Sequence, residues 1–218
     1  MKKPTPASLP AIIFDFGGVL MDWDPFYLFD KLFAGDRQAA EQFIREIDFY
    51  RWNLEQDRGR SWRAAVQSHC AKFPQYCEQI SAYDSRWRES LGEPLWETVD
   101  VLAELRAAGY PLYGLSNWSA EKFDLVRPDY PFFDWFVDIV ISGKVGMVKP
   151  EKQIFTLTLE RIGRAADECV LIDDSRPNIA AARDMGFTTV HFYSPERLRR
   201  DLSALQLLPG GQNGNGQT

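Results

Sequence analysis

Beyond Pro94 the chain settles into a rhythm that few architectures can satisfy: short apolar runs alternate strictly with longer stretches of helical periodicity. The pattern predicts helices over 96–108, 119–126, 151–162 and 177–185 and a last one from residue 195. Between them fall strands over 111–115, 136–141, 169–173 and 188–192. Gly109 and Gly186 stand where helix C-terminal caps belong. Strands separated by helices of this length form βαβ units, which build a parallel sheet with right-handed crossovers. One further strand lies near the start, in the run Ala11-Ile12-Ile13-Phe14-Asp15. It lacks polar alternation, as expected of a strand covered on both faces. The fold predicted is an α/β, doubly wound, Rossmann-like parallel sheet.

Between residues 22 and 94 the character changes. Apolar side chains recur at helical spacing (Phe26, Phe29, Leu32, Phe33; then Phe43, Ile44, Ile47; then Trp62, Ala65, Val66), and strand-like runs are absent. This reads as a cap of about four helices inserted after the first strand. The predicted division is therefore a core of residues 1–21 and 95–209, a helical cap of 22–94 and a disordered Gly- and Asn-rich tail of 210–218. The Pro-rich stretch before Leu9 is expected to be disordered as well. No run approaches the roughly 18 apolar residues of a membrane span, and Lys2 and Lys3 are not followed by the apolar stretch of a signal peptide. A formal charge of −6 leaves no overall footprint for nucleic acid. Cys70, Cys77 and Cys169 are odd in number and lack metal-ligand spacing, so free thiols in a reducing compartment are expected. The chain reads as a cytoplasmic monomer or homodimer acting on a small molecule, with neither nucleic acid nor membrane as partner.

In an open α/β sheet, ligands bind at the carboxyl ends of the strands. Four features fall there: Asp15, the pair Ser116-Asn117, Lys149, and the pair Asp173-Asp174. Each alone suits a helix cap, a turn or a solvated loop lysine. Together they bring three acids, a hydroxyl–amide pair and a lysine to one rim. A carboxylate can attack phosphorus and divide one hard displacement into two. Asp15, Asp173 and Asp174 make a hard oxygen site suited to Mg²⁺. Lys149 supplies a compact point charge, and Ser116 with the Asn117 backbone N–H can bind phosphoryl oxygens. Gly17 and Gly18 let the backbone approach the phosphate closely.

The stretches Asp15-Phe16-Gly17-Gly18-Val19-Leu20, Leu115-Ser116-Asn117, Lys149-Pro150 and Ile172-Asp173-Asp174-Ser175-Arg176-Pro177-Asn178 resemble, in this order, the motifs of the haloacid dehalogenase superfamily. The subgroup that includes α-glucose-1-phosphate phosphatases is the most similar. The resemblance implies an aspartyl-phosphate mechanism with Asp15 as nucleophile. It also implies Mg²⁺ bound by Asp15, Asp174 and the backbone carbonyl of Gly17, with Asp173 acting through water.

One position departs from the pattern. Most phosphatases of the superfamily carry a second Asp two residues after the nucleophile, to protonate the leaving oxygen; here that residue is Gly17. Several readings accommodate it. The chain can be a phosphohydrolase acting on a good leaving group, such as an anomeric sugar phosphate, or drawing an acid from elsewhere, with Asp22 and Asp24 near at hand. It can be a 2-haloacid dehalogenase in which Asp15 attacks carbon, although that branch lacks the paired acids. It can resemble phosphonate hydrolases that use a cap lysine, for which Lys31 and Lys72 are available, or be a non-catalytic phospholigand-binding member. Aromatic residues at Trp23, Phe26, Tyr50, Trp52 and Trp118 are expected to wall the substrate pocket, with Asn53, Glu55 and Arg58 as polar contacts. His69 and His191 are expected to be structural.

Overall fold

The computed structural model describes residues 9–209, so both expected disordered ends lie outside the described residues. Its centre is a five-stranded parallel sheet. The innermost strand, β1 (Ala11–Phe14), lies between β4 (Leu112–Ser116) and β6 (Cys169–Asp173), with β5 (Asp138–Ile141) and β7 (Thr188–His191) at the edges. The crossovers are α6 (Trp96–Ala107), α7 (Ala120–Val126), the pair α8 (Ser142–Val145) and α9 (Lys152–Ile162), and α10 (Arg176–Asp184); α11 (Pro195–Ala204) follows β7. From β1 the chain builds outward to β5, then returns across the sheet to β6 and β7. The carboxyl ends of β1, β4 and β6 therefore meet at the switch point, where such sheets bind ligands.

The unbroken apolar character of β1 has its cause in this position. Alternate residues of a strand point to opposite faces. Ile12 and Phe14 pack on the side shared with the cap, while Ala11 and Ile13 pack with Ile154, Phe155 and Ala182 on the other. All four are fully buried. The edge strand β5 begins two residues later than periodicity suggests. Phe136, expected to open it, instead packs against Phe16 with ring centroids 5.4 Å apart.

The segment between residues 22 and 94 holds five helices: α1 (Phe26–Leu32), α2 (Arg37–Glu46), α3 (Phe49–Asp57), α4 (Trp62–Lys72) and α5 (Cys77–Ser85). Their interior is largely aromatic, Phe29 meeting Phe43 and Phe49 edge-on, and Phe49 meeting Tyr83. The expectation that this stretch contains no strand is corrected. β2 (Met21–Trp23) and β3 (Leu91–Pro94) pair antiparallel where the chain enters and leaves the cap. With Gly92 and Pro94 in so short a strand, no local pattern announces it.

A second correction concerns the cysteines. Cys70 and Cys77 form a disulfide, and only Cys169 is free and buried. Cys70 lies near the end of α4 and Cys77 opens α5, so the turn between the two helices brings their Cα atoms to 4.5 Å.

Side chains tie the cap to the core along the sheet's carboxyl edge. Arg58 grips Glu151 with bonds of 2.7 and 3.0 Å, Trp62 Nε1 donates to Ser119 Oγ at 2.8 Å, and Lys122 Nζ donates to the Asp84 carboxylate at 2.5 Å.

Candidate active site

Asp15 directly follows β1, and its own N–H is still held in the sheet by Ile172 O at 2.9 Å. The chain then turns sharply, with the N–H groups of Leu20 and Met21 both donating to Phe16 O at 2.8 Å. This turn holds the Asp15 carboxylate at the rim, where it is 7% exposed. One of its oxygens accepts from Phe16 N at 2.7 Å and the other faces Lys149 Nζ at 2.8 Å.

Lys149 is itself buried and bridges two acids, lying 2.6 Å from Asp173 Oδ2 while also donating to Leu115 O. Asn117 holds the loop carrying it. The Asn117 side chain accepts from Lys149 N at 2.8 Å and donates to Lys149 O at 3.0 Å. The peptide between Lys149 and Pro150 is cis. Ser116 ends β4, almost fully buried beside this clamp.

Asp173 is fully buried, and its remaining acceptor capacity goes to Ser175 N at 2.8 Å and to Asn178 Nδ2 at 2.9 and 3.1 Å. Asp174 follows it on the more exposed side. One carboxylate oxygen from each of Asp15, Asp173 and Asp174 lies within 4.8 Å of the others. Burial raises the Asp15 pKa, Lys149 opposes the rise, and Asp173 and Asp174 add to it. Asp174 is raised too, by burial and by Asp173. For Lys149, burial pulls the pKa down, but Asp15 and Asp173 more than reverse this and the net shift is upward.

Beside the rim opens a cleft between core and cap. Its walls are Trp23, Met21, Trp87, Leu91 and Trp118, with Gly17, Asn53, Asp57, Asn117 and Ser119 supplying the polar or open surface. Trp23, Trp118 and Asn53 thus stand where the sequence suggests. Trp52 does not. It is 3% exposed inside the cap, its ring stacked on His69 and edge-on to Trp62. Tyr50 is exposed and Phe26 packs under Arg37, away from the cleft wall. Arg58 is engaged with Glu151, and Glu55 is exposed.

The hinge acids also point elsewhere. Asp22 accepts from Tyr27 Oη at 2.7 Å, and Asp24 caps the backbone N–H of Phe26 at 2.8 Å. Lys31 pairs with Glu89 on the surface, and Lys72 lies over the Phe73 ring. Neither lysine lines the cleft. His69 Nε2 donates to Ile47 O at 2.8 Å, and His191 Nε2 donates to Asp174 O at 2.9 Å.

Residues 9–186 match the model of the haloacid dehalogenase-like hydrolases. The chain belongs to this family. Its relatives include the sesquiterpene phosphatase astK of Aspergillus oryzae, 27% identical over 197 residues that cover 84% of this chain and 90% of that protein. The glyceraldehyde 3-phosphate phosphatase of Methanocaldococcus jannaschii is 35% identical over 107 residues, covering 46% of this chain and 45% of that protein. Among solved structures, the HAD family enzyme BT-2542 of Bacteroides thetaiotaomicron, in complex with magnesium and inorganic phosphate, superposes with a TM-score of 0.66. It is 26% identical, over 85% of this chain and 95% of that one.

In this haloacid dehalogenase-like hydrolase the donor set fits a divalent cation on charge and on shape. Three carboxylates gather beside one lysine, which pairs with Asp15 and Asp173, so the formal charges of the cluster sum to −2. Gly18 has φ +70°, and a Cβ there would stand 2.5 Å from Asp174 Oδ2, so the loop leaves space only for the carboxylate. Trp87 and Asn178 are among the contributors that escape sequence reasoning. Trp87 forms a cleft wall although it lies in a 3₁₀ turn (Trp87–Ser90) that carries no periodic signal. Asn178 holds Asp173 from one turn into α10, and only its place in the motif Asp173-Asp174-Ser175-Arg176-Pro177-Asn178 hints at a role.

Proposed function

We propose that the protein is a Mg²⁺-dependent phosphohydrolase that cleaves a small phosphorylated metabolite through an aspartyl-phosphate on Asp15. The observation carrying this reading is the single rim shared by Asp15, the buried Lys149 and the Asp173–Asp174 pair. Asp15, Asp174 and the Gly17 backbone would hold the ion. When bound, it supplies Lewis-acid charge that lets an anionic carboxylate meet an anionic phosphate.

The remaining work belongs to the protein. Lys149 draws Asp15 into a fixed orientation and balances its charge. Asp173 serves chiefly as the anchor of Lys149, because its other contacts are to Ser175 N and Asn178. Ser116 and the Asn117 backbone lie at the adjoining strand end, suited to donate to phosphoryl oxygens. The leaving group would occupy the cleft, whose three tryptophans favour a group with an apolar face, as a sugar ring or an isoprenoid has. The phosphatases among the relatives support this chemistry.

The test is hydrolysis of an aryl phosphate and of a panel of sugar and isoprenoid phosphates, with Mg²⁺ and with chelator. We expect turnover that needs Mg²⁺ and that Asp15→Asn abolishes, because an amide is not a nucleophile. Chloride release from 2-chloropropionate, without metal and without phosphatase activity, would assign the site to dehalogenation instead. Binding of vanadate with no turnover on any substrate would leave a phospholigand-binding protein.

A further inference from the structure

The position two residues past the nucleophile is glycine, yet the cleft beside it contains one ionisable side chain among its lining residues, Asp57. Asp57 ends α3, in the cap, and lies far from Gly17 in sequence. The fold makes them walls of one cavity, which Asn117 of the rim and Trp23, Trp87 and Trp118 also line. Its carboxylate is held rather than free. Asn53 Nδ2 donates to Oδ2 at 3.1 Å, and the Ser119 backbone N–H donates to the carboxylate from the core. Its backbone carbonyl accepts from Ser142 Oγ at 2.5 Å. The acid is thus fixed from both cap and core, which suits a proton donor.

We propose that Asp57 is the general acid and base of the reaction, carried on the cap in place of the acid missing at Gly17. The inference rests on the phosphohydrolase reading. In the first half-reaction, an Asp15 carboxylate oxygen forms a bond to phosphorus as the phosphorus–oxygen ester bond breaks. The electron pair goes to the leaving oxygen, which takes the Asp57 proton and departs as the alcohol. Asp57 is now a carboxylate. In the second, it takes a proton from water as that water attacks phosphorus. The bond to Asp15 breaks, inorganic phosphate leaves, and both acids return to their starting states. In-line displacement puts leaving oxygen and incoming water on the same side of phosphorus, so one residue can serve both halves.

The surroundings shift Asp57 toward its protonated form. Among the described residues no basic side chain pairs with it. Its neighbour Arg58 is committed to Glu151, and Asn53 and the Ser119 and Ser142 contacts are neutral. The titratable group facing it from α5 is Tyr83, whose own pKa burial pushes further up. Burial raises Asp57 to about 7, partly opposed by the Ser119 N–H.

The experiment compares Asp57→Asn with wild type in kcat/KM, which reports only the steps through phosphoryl transfer. p-Nitrophenyl phosphate needs no proton on its leaving oxygen; an alkyl or sugar phosphate does. We expect Asp57→Asn to cut kcat/KM for the alkyl substrate by about 10²–10⁴-fold while changing the aryl value by less than about threefold. With the general base gone, the aryl substrate should show a burst of nitrophenolate followed by slow turnover. Adding Gly17→Asp to Asp57→Asn should recover alkyl kcat/KM, since a Cβ at this position meets nothing within 4 Å among the described residues.

Equal losses on both substrates in a folded variant would make Asp57 a cap–core tie and overturn the proposal. An unchanged alkyl kcat/KM would do the same. A wild-type protein silent on both substrates removes the reaction itself, an outcome distinct from either.

Discussion

At the scale of single residues, the decisive positions are those where a charge or a close approach leaves no alternative. Asp57 is one, and its burial has a thermodynamic consequence apart from catalysis. Its folded pKa lies near 7, above the ordinary carboxylate value of 3.8, so between those values the folded protein keeps a proton that the unfolded chain has lost. The stability tied to this group is fully present below about pH 4 and is lost as pH rises through 7. Asp57→Asn, which cannot ionise, should therefore melt several degrees above wild type at pH 8 and close to it at pH 4. A melting curve at each pH checks this, and a variant less stable than wild type at pH 8 would show that the charged form is well solvated. Gly18 is the other such position. Gly18→Ala combines a left-handed φ with a contact 2.5 Å from Asp174 Oδ2, so Asp174 must move or the loop must open. We expect loss of Mg²⁺ affinity together with activity, read by calorimetric titration. Neither property was legible in the sequence in the same way. Gly18 sits inside a motif whose neighbours explain it, whereas Asp57 is one more acid in a helix until the fold brings it to the cleft. Trp52 and Trp87 make the same point in reverse, because helical spacing cannot say which tryptophan turns inward to the cap and which faces the cleft.

At the scale of elements, what was readable follows from how far each signal is local. The strand–helix alternation after Pro94 is written in periodicity, and β4, β6 and β7 lie where it puts them. β2 and β3 are too short for a period to register, and they exist because entry to and exit from the cap must lie side by side. The Cys70–Cys77 bridge likewise depends on a helix turn, not on any spacing rule for metal or disulfide frameworks. Elements also constrain one another where no side chain is available to yield. The start of α8 packs directly on the loop after β4, a Cβ at Gly143 standing 2.5 Å from Ala120 N and 2.9 Å from Trp118 O. That loop carries Asn117, Trp118 and Ser119, which meet rim, cleft wall and Asp57 in turn. Gly143→Ala forces backbone against backbone, so the loop must shift. We expect a cost of about 1–3 kcal/mol in unfolding free energy, measured by urea denaturation, and a fall in kcat larger than lost folding explains. A variant as stable and active as wild type would mean that α8 can slide without disturbing the loop.

At the scale of the whole molecule, the arrangement trades stability for chemistry. The fold gathers Asp15, Asp173 and Asp174 within 4.8 Å of one another at the switch point of the sheet and provides Lys149 as counter-charge. The formal charges of the cluster sum to −2, left for a ligand to offset. The cap is then fastened to the core beside this rim by Arg58–Glu151, Lys122–Asp84 and Trp62–Ser119. Such sites make a protein less stable than it could be without its function. The prediction is a reversal of sign. In chelator, Asp15→Asn removes one of the repelling charges and should raise the melting temperature by a few degrees, since about 1 kcal/mol corresponds to roughly 2–4 °C in a chain of this size. With excess Mg²⁺ the wild type should gain more than the variant, because it retains the full donor set, and the order should narrow or invert. Differential scanning calorimetry of both proteins, with Mg²⁺ and with chelator, decides it. Parallel shifts in the two proteins would mean that the ion does not use Asp15, and the charge argument for the rim would fall with it.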